Sequence, residues 1–438
     1  MRKQSELRKY QLRAIDYILD KKRCGLALDM GLGKTISSLT AFTKIHNVHV
    51  KKLLVVAPLN VAKTGWNKEI LNWEHTKHLT YSICIGDEKT RLEALNKEVD
   101  VYIINQENIK WMFNKGFNKY GMIVIDESQG FKNHASKRFK YLKKFISKYA
   151  VLLTGTPMPN GYMDMWSQQY LIDKGALLGK NISEYRNKHF IYNSRTFSYR
   201  CIFPEKIAEL LKNNWLSMKS EDYLELPDKI INKISVEIDN FKEYKTFEKQ
   251  YLLEMNDDKI LAVNAAVLSN KLLQYCNGAV YMEDKTYREV HSNKLDGLEE
   301  IIDSCPNENI LVAFNYKCDE ERIKDRFKHA VTLTSKNIIE VECEWNKGNI
   351  KLLLCQCSTA KGLNLQQGGR IIIWFGLTWN MESYNQFNAR LHRQGQTKPV
   401  IIHHLVAKGC KDETVLDAIN LKDMNQEKLI KILKAKDV

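Results

Sequence analysis

A lysine and a threonine follow a glycine-rich turn near the start of the chain. Gly31, Gly33, Lys34 and Thr35 come after an apolar run and before an amphipathic stretch. Glycines let backbone N–H groups converge on a phosphate, and the helix that follows presents its positive end to it. Lys34 can then reach the terminal phosphates, and Thr35 can ligate Mg²⁺. The strict phosphate-loop pattern has a further Gly where this chain has Leu28, so a simple glycine-rich turn stays open as an alternative.

Two carboxylates follow another apolar run. Asp126 and Glu127 come directly after residues 122–125, at the edge of a parallel sheet where ligands bind. There Asp126 can hold Mg²⁺, and Glu127 can orient and deprotonate a water molecule that attacks a phosphate. Alone, such a pair is more often a solvated turn. Together with Lys34 it predicts a site for ATP hydrolysis.

Short apolar runs recur in two series, and helix-length segments separate them. Fully apolar runs of this length indicate parallel strands that are covered on both faces. The predicted fold class is therefore α/β, with two parallel-sheet lobes. The first series is residues 25–28, 53–57, 101–104, 122–125 and 151–154, and the second is residues 310–314, 351–355, 371–375 and 400–406.

The region between the two series has a different pattern. Residues 158–293 contain long amphipathic stretches, such as 241–255 and 260–275, which predict helices. A boundary between lobes is predicted near Pro227. The predicted division is an ATP-binding lobe at 1–157, a helical insertion of that lobe at 158–225, a linker and helical part of the second lobe at 226–293, the second lobe at 294–412, and a C-terminal helix at 413–438.

Composition narrows the classes of protein. The chain has 438 residues, of which 44% are apolar and 27% charged, so disordered and fibrous proteins are excluded. A net charge of +15 suits a polyanionic partner such as nucleic acid. No apolar run reaches the roughly 18 residues of a membrane span, and no signal peptide is recognisable. We therefore expect no membrane contact, a cytoplasmic location in a bacterial host, and ten reduced cysteines.

Further motifs place polar residues beside apolar runs in both halves of the chain. At the edge of a parallel sheet, such residues can meet a ligand. The motifs are DMGLGKT (29–35), VVAPLN (55–60), DESQGFKN (126–133), LTGTPMPN (153–160), SNKL (292–295), STAKGLNL (358–365) and QFNARLHRQGQTKPV (386–400).

This series resembles that of the Swi/Snf-type ATPase motors of helicase superfamily two, a group with many small bacterial and phage members. The resemblance runs from residue 8 to about residue 406 and implies two RecA-like lobes with helical insertions between them. Gln129 stands where the family usually has His, and Ala389 where it usually has Gly. Since Gln129 can still form hydrogen bonds, we expect altered coupling rather than lost activity.

The resemblance also implies which residues hold ATP and Mg²⁺. Arg390 and Arg393, three residues apart, would share one face of a helix and could supply charge to a phosphoryl group. A salt-bridged surface helix is the alternative. The implied catalytic residues are Lys34, Asp126, Glu127, Gln386, Arg390 and Arg393, the ATP contacts are Gln11 (at the adenine), Arg13, Met30, Gly31, Leu32, Gly33, Lys34, Thr35, Gly362 and Asn364, and the Mg²⁺ ligands are Thr35 and Asp126.

The implied partner is nucleic acid, in the first place double-stranded DNA. A motor that grips the phosphate backbone should have weak sequence preference and strong salt sensitivity. A monomer suffices, because both halves of the ATP site lie in one chain, and a recruiting protein is allowed for. The implied contacts are Pro58, Leu59, Asn60, Gln106, Thr154, Thr156, Asn160, Ser358, Thr359 and Lys361.

Several readings of function remain open at this point. The first is a duplex-DNA translocase that remodels DNA or DNA-bound protein. A strand-separating helicase would need a wedge, which the sequence does not identify, and a non-hydrolysing ATP-gated DNA clamp or an RNA partner are further alternatives. Aromatic and basic residues alternate at 111–120 and 190–199 and could stack on unpaired bases, although such rings more often pack in a core.

Overall fold

The computed structural model describes residues 1–194, 198–254, 261–357, 359–360 and 363–433, with side chains except at 250–254 and 261–266. The chain divides into two compact units. The first contains Met1–Leu224 and the C-terminal residues from Lys422, and the second contains Glu225–Leu421. The boundary between the two units lies between Leu224 and Glu225, one residue before the predicted division between residues 225 and 226.

Apolar runs form the strands of the first unit. Residues 53–57, for example, are fully buried, as expected in a parallel sheet covered on both faces. The strands are Arg23–Leu28 (β1), Leu53–Ala57 (β2), Tyr81–Cys84 (β3), Val101–Asn105 (β4), Lys119–Asp126 (β5), Ile146–Thr154 (β6), Phe190–Asn193 (β7), Ser198–Cys201 (β8) and Trp215–Met218 (β9).

Seven of these strands form one parallel sheet in the order β3-β4-β2-β5-β6-β1-β9, and β7 pairs with β8 in an antiparallel hairpin. The register places Ala27 of β1 opposite Thr154 of β6, and Asp126 of β5 opposite Leu153. The strands β1, β5 and β6 therefore end side by side. The loops that follow them, which carry the predicted chemistry, meet at one edge of the sheet.

Helices join these strands. The helix that follows β1 begins directly after Gly33, and Pro204 opens another helix at a position where its missing N–H costs nothing. The helices are Lys9–Lys21 (α1), Lys34–Ile45 (α2), Leu59–Asn72 (α3), Glu88–Leu95 (α4), Ile109–Asn114 (α5), Lys137–Leu142 (α6), Met165–Asp173 (α7), Ile182–His189 (α8) and Pro204–Leu211 (α9).

The second unit repeats the layered design with its own sheet and helices. The strands are Lys229–Val236 (β10), Ala279–Tyr281 (β11), Tyr287–Glu289 (β12), Ile310–Phe314 (β13), Val331–Thr332 (β14), Leu352–Gln356 (β15), Ile371–Trp374 (β16) and Val400–Ala407 (β17), and the helices are Phe241–Glu254 (α10), Leu261–Asn277 (α11), Asn293–Ser304 (α12), Lys317–Arg326 (α13), Ile338–Asn346 (α14), Met381–Asn388 (α15) and Lys411–Leu433 (α16). The helix α16 begins in this unit, and its residues from Lys422 belong to the first unit.

Six strands of the second unit form a parallel sheet in the order β10-β17-β16-β13-β15-β14, and β11 and β12 form a separate hairpin. The predicted α/β class with two parallel sheets is thus confirmed, and every predicted apolar run forms a strand. Among the described residues, no helix combines the length and apolar character that crossing a membrane requires. All ten cysteines are free thiols.

The prediction that residues 158–293 are helical was wrong in part. This region also contains β7 to β12, and β9 and β10 complete the edges of the two sheets. The sequence did not reveal β9 because Ser217 interrupts its short apolar run. It did not reveal β10 because that strand lies at an edge and alternates polar with apolar residues instead of forming an apolar run.

A buried ion pair holds the second unit together. Lys294 at the start of α12 and Asp412 at the start of α16 are 1% and 0% exposed, and their charged atoms lie 2.5 Å apart. The Lys294 ammonium also donates to the side chain of Asn277 at 2.9 Å and to the carbonyl of Phe375 at 3.0 Å. One lysine therefore ties two helix starts to the end of α11 and to the segment after β16.

Replacement of Lys294 by Met should destabilise the protein strongly. The change leaves the Asp412 carboxylate buried without its cation, which typically costs about 3–5 kcal/mol. Equilibrium urea unfolding of the full chain measures the loss as a lower midpoint for the second unit. The matched control is Lys408→Met, which removes an exposed pair with Glu237 and should leave the curve unchanged. Equal midpoints for the two variants would contradict this role of Lys294.

Candidate functional site

The glycine-rich loop has the backbone shape that a phosphate requires. Gly31 and Gly33 have φ angles of 84° and 73°, a left-handed conformation that glycine adopts without strain. Gly33 directly precedes α2, so the free N–H groups of this 12-residue helix open into the loop. Lys34 folds back over the loop, and its ammonium donates to the carbonyl of Leu28 at 2.8 Å.

Gln11 packs directly against this loop. A Cβ atom on Gly33 would lie 2.2 Å from the Gln11 side-chain nitrogen, so only glycine fits there. The Gln11 side-chain oxygen accepts a hydrogen bond from the backbone N–H of Arg8 at 2.9 Å, which fixes its orientation. The structure therefore brings together Gln11 and Gly33, as the resemblance implied.

The other predicted ATP contacts of the first unit lie on α1, in the glycine-rich loop and on α2. Arg13 lies on α1 and is half-buried, as are Met30 in the loop and Thr35 on α2. Leu32 is fully buried, so its side chain supports the loop from inside the unit.

Asp126 is a buried carboxylate with fixed hydrogen bonds. One oxygen accepts from the indole N–H of Trp66 at 2.9 Å, and the other accepts from the backbone N–H of Glu127 at 3.0 Å. Burial, and secondly the charge of Glu127, raises the pKa of Asp126 to about 6. The Trp66 hydrogen bond and the charge of Lys34 oppose this rise. Lys34 and Asp126 are therefore close enough to interact, as one site requires.

Glu127 is held in an uncommon backbone conformation. Its φ of 48° lies in the left-handed region, which non-glycine residues adopt mainly at constrained sites. Its carboxylate accepts a hydrogen bond from the side-chain amide of Gln129 at 2.7 Å. Gln129 thus orients the predicted base, as an amide at this position can.

A buried glutamine that the sequence reasoning missed links two motifs. Gln168 on α7 is fully buried and accepts a hydrogen bond from the hydroxyl of Ser128 at 2.7 Å. Its amide donates to the carbonyl of Pro157 at 2.6 Å. The loops after β5 and β6 are therefore connected through one side chain. No motif contains Gln168, so only the folded structure reveals it.

A second missed contact attaches the glycine-rich loop to the segment 219–224. The carboxylate of Asp29 accepts hydrogen bonds from the backbone N–H and the hydroxyl of Ser220, at 3.0 and 3.3 Å. The ring of Tyr223 lies 5.3 Å from that of Tyr10, the residue before Gln11. The segment that leads out of the first unit therefore packs on two elements of the candidate site.

Three predicted nucleic-acid contacts need correction. Gln106, Thr154 and Thr156 are 4%, 0% and 6% exposed. The Gln106 amide donates to the backbone carbonyl of Asp126 at 2.9 Å, and the Thr154 hydroxyl accepts from the N–H of Thr156 at 3.0 Å. The Gln106 amide and the Thr154 hydroxyl are therefore engaged inside the unit at the strand ends, and none of the three residues presents an exposed side chain to a polymer.

The remaining predicted contacts of the first unit lie at the surface. Leu59 and Asn60, at the start of α3, and Asn160, after β6, are exposed, and Pro58 is half-buried. Pro58 follows β2 and Asn160 follows β6, so both lie at the carboxyl edge that carries the candidate ATP site. The exposed residues suit contact with a backbone phosphate, while the buried ones behind them do not.

In the second unit, two arginines converge on one carbonyl. Arg390 and Arg393 donate to the backbone oxygen of Leu363 at 3.0 and 3.3 Å. The prediction that they share a helical face was wrong, because α15 ends at Asn388 and turns follow. Burial lowers the pKa of Arg393 from its ordinary value. A carbonyl, and not helical spacing, brings the two guanidinium groups together.

The other predicted residues of the second unit are placed as follows. Gln386 is buried on α15, and its amide donates to Glu382 at 3.3 Å. Asn364 is exposed, and its backbone N–H donates to Glu342 at 2.7 Å. Thr359 is half-buried. Ser358, Lys361 and Gly362 lie outside the described residues.

Comparisons with known proteins identify the family of the chain. A family model described as SNF2-related domain matches residues 10–286, and one described as helicase conserved C-terminal domain matches residues 293–395. Protein p41 of Acyrthosiphon pisum secondary endosymbiont phage 1 is 34% identical over 98% of this chain and 99% of its own length.

Two further similarities are more distant. The CHD3-type chromatin-remodeling factor CHR7 of Arabidopsis thaliana is 25% identical over 94% of this chain, which spans 36% of that protein. A solved structure of the Sulfolobus solfataricus SWI2/SNF2 ATPase core in complex with dsDNA is 21% identical, with a TM-score of 0.48, and the match covers 99% of this chain and 98% of that one.

Trp66→Phe should impair the site without unfolding it. The variant keeps an aromatic ring but removes the N–H that holds Asp126. Loss of a hydrogen bond to a charged group costs about 1.5 kcal/mol. If this cost falls on the transition state, ATP turnover becomes about tenfold slower. Steady-state ATPase assays measure this loss. Binding of a fluorescent ADP should weaken in the presence of Mg²⁺ and stay unchanged without it.

Trp73→Phe is the matched control for this prediction. Trp73 follows the same helix and donates an indole hydrogen bond of 2.8 Å to Glu69, away from Asp126. We expect normal turnover from this variant. If both variants lose activity equally, the Trp66 contact has no specific part in the site.

Proposed function

The chain belongs to the SNF2-related family of helicase-like ATPase motors, and on that premise we propose that it moves along duplex DNA and remodels the DNA or the proteins bound to it. The observation that carries the proposal is the joining of the Lys34 loop and the Asp126–Glu127 pair at one sheet edge, beside exposed residues at the start of α3. This arrangement supports a proposal in which the residues for ATP hydrolysis and those for polymer contact belong to one unit.

The first unit supplies groups for binding ATP and activating water. The loop N–H groups and Lys34 bind the phosphates, and Gln11 takes the adenine. Glu127, oriented by Gln129, accepts the proton of the attacking water. Arg390 and Arg393 supply positive charge to the phosphoryl group as it transfers.

The donor set of the first unit fits Mg²⁺. Thr35 offers a hydroxyl, and Asp126 offers a carboxylate with lone pairs left beyond its two hydrogen bonds, and oxygen ligands of this kind are what Mg²⁺ prefers. When bound there, Mg²⁺ would neutralise phosphate charge. Trp66 and the N–H of Glu127 hold the carboxylate ready for it.

Duplex DNA is the proposed track. Pro58, Leu59, Asn60 and Asn160 contact the phosphate backbone from the first unit, and Ser358, Thr359 and Lys361 from the second. The net charge of +15 favours a polyanion. The name of the Arabidopsis relative, a chromatin-remodeling factor, supports action on DNA-bound protein. The proposal places the motor as a monomer in the cytoplasm of a bacterial host, where another protein can recruit it.

ATP turnover with different nucleic acids tests this proposal. We expect blunt duplex DNA to stimulate hydrolysis several-fold and high salt to weaken the stimulation, since backbone contacts release counterions. Glu127→Gln and Arg393→Ala should abolish turnover. Arg326→Ala, which removes a surface arginine paired with Asp296 and Glu299, is the matched control and should turn over normally.

Displacement of a triplex-forming strand from duplex DNA then tests movement itself. A translocase displaces the third strand only when ATP is hydrolysed. Stimulation by single-stranded DNA but not by duplex DNA, with unwinding of a fork, would replace the proposal with a strand-separating helicase. Stimulation by RNA alone would overturn DNA as the track.

A further inference from the structure

A β-hairpin of the first unit carries exposed rings that the ATP site does not use. The hairpin, β7 and β8, lies in the chain between β6 and β9, and outside the seven-stranded sheet. Tyr192 and Tyr199 on it are 49% and 41% exposed, and Phe203 just beyond it is 48% exposed. Large exposed rings grouped in this way mark a binding surface.

Cations lie among these rings. The guanidinium of Arg186 lies 4.6 Å from the centre of the Tyr199 ring, and the ammonium of Lys206 lies 6.0 Å from that of Phe203. Arg200 is exposed on β8. We name this group the hairpin patch, defined as Arg186, Tyr192, Tyr199, Arg200, Phe203 and Lys206.

The rings of the patch are held in a row. Tyr192 and Tyr199 pair across the two strands, with ring centres 5.0 Å apart and ring planes tilted by 49°. The guanidinium of Arg186 lies over Tyr199, so a cation and two rings are neighbours. About half of Tyr192 remains open to solvent at the end of this row. A further planar group, such as a base, can extend it.

The start of the hairpin is fixed in the core, so the rings on its strands are held in place. Phe190, at the start of β7, is buried, and its ring lies 5.1 Å from that of the fully buried Tyr185. The backbone N–H of Ile202 donates to the carbonyl of His189 at 2.9 Å. An isolated two-stranded hairpin is marginally stable, so this anchoring presents Tyr192 in a defined place.

The charge of the patch favours a polyanion. Neither Arg200 nor Lys206 has an ion-pair partner among the described residues. Two neighbouring acids are already engaged, because Glu184 pairs with Lys188 and Glu209 with Lys212, and Glu205 beside Lys206 is the remaining carboxylate of α9. Rings that alternate with free cations match the bases and phosphates of a single strand, whereas an apolar protein surface would leave the cations unpaired.

Aromatic and basic residues alternate in two stretches of the sequence, and the structure distinguishes these two stretches. In residues 111–120, Tyr120 is buried, and Trp111, Phe113 and Phe117 are partly buried against the core of the first unit. In residues 190–199, Tyr192 and Tyr199 are exposed. The second stretch therefore offers the more open rings for stacking.

We propose that the hairpin patch binds single-stranded DNA, with bases stacked on Tyr192 and Tyr199 and phosphates paired with Arg200 and Lys206. The inference rests on the proposed function only in taking DNA as the substrate. It adds a second contact, on an element apart from the sheet edge, at which an unpaired strand is held.

Fluorescence anisotropy of a labelled oligothymidine with the full chain, without nucleotide, tests this inference. Because Tyr192→Ala removes a ring on which a base can stack, we expect it to bind oligothymidine about tenfold more weakly. Tyr192→Phe keeps the ring and should bind like the wild type. Arg200→Gln should reduce the salt dependence of binding.

The outcomes separate this inference from the proposed function. Duplex-stimulated ATP turnover should be unchanged in Tyr192→Ala, and its circular dichroism spectrum should match the wild type. Equal oligothymidine affinity of Tyr192→Ala and wild type would overturn the inference even if duplex DNA stimulates turnover. A change of oligomeric state on size exclusion, with oligothymidine affinity unchanged, would overturn it in favour of protein contact.

Discussion

A carboxylate buried at the end of a strand is the constraint on which the first unit depends. Asp126 loses water on folding, and its pKa rises to about 6, so an ionised Asp126 needs donors fixed around it. Trp66 provides one from α3, the N–H of Glu127 provides another, and Lys34 adds charge. These three groups come from separate elements, and the strand order of the sheet brings them to one edge. The strand order therefore brings together the donors that a buried carboxylate needs, and it places that carboxylate at the edge where ligands bind in parallel sheets.

Apolar runs and motif letters predicted the strands and the residues at their ends, because both signals are local. The partners of those residues were not predictable, because they come from distant positions with no pattern of their own. Gln168 on α7 and Ser220 after β9 are ordinary polar residues in the sequence, and their roles arise from burial beside Ser128 and Asp29. Edge strands such as β10 were missed because they contain polar residues among the apolar ones and therefore do not form an apolar run. Sequence reasoning thus predicted the residues at the strand ends and missed the partners that hold them.

The second unit solves the same problem of buried charge in another way. Lys294 and Asp412 neutralise each other, and Asn277 and the Phe375 carbonyl take the remaining hydrogen bonds of the lysine. Arg390 and Arg393, in contrast, both donate to the backbone carbonyl of Leu363. The two sites therefore differ in the acceptor, because Lys294 faces a carboxylate whereas the two guanidinium groups meet at a neutral oxygen.

Gln129 holds the predicted base Glu127 through a side chain that does not titrate. Its amide donates to Glu127 at 2.7 Å, which is the contact that orients the predicted base. A histidine at this position could make the same hydrogen bond, but its ring takes up a proton near neutral pH, and the added charge would alter the Glu127 carboxylate. An amide does not titrate, so residue 129 adds no protonation step of its own to this hydrogen bond.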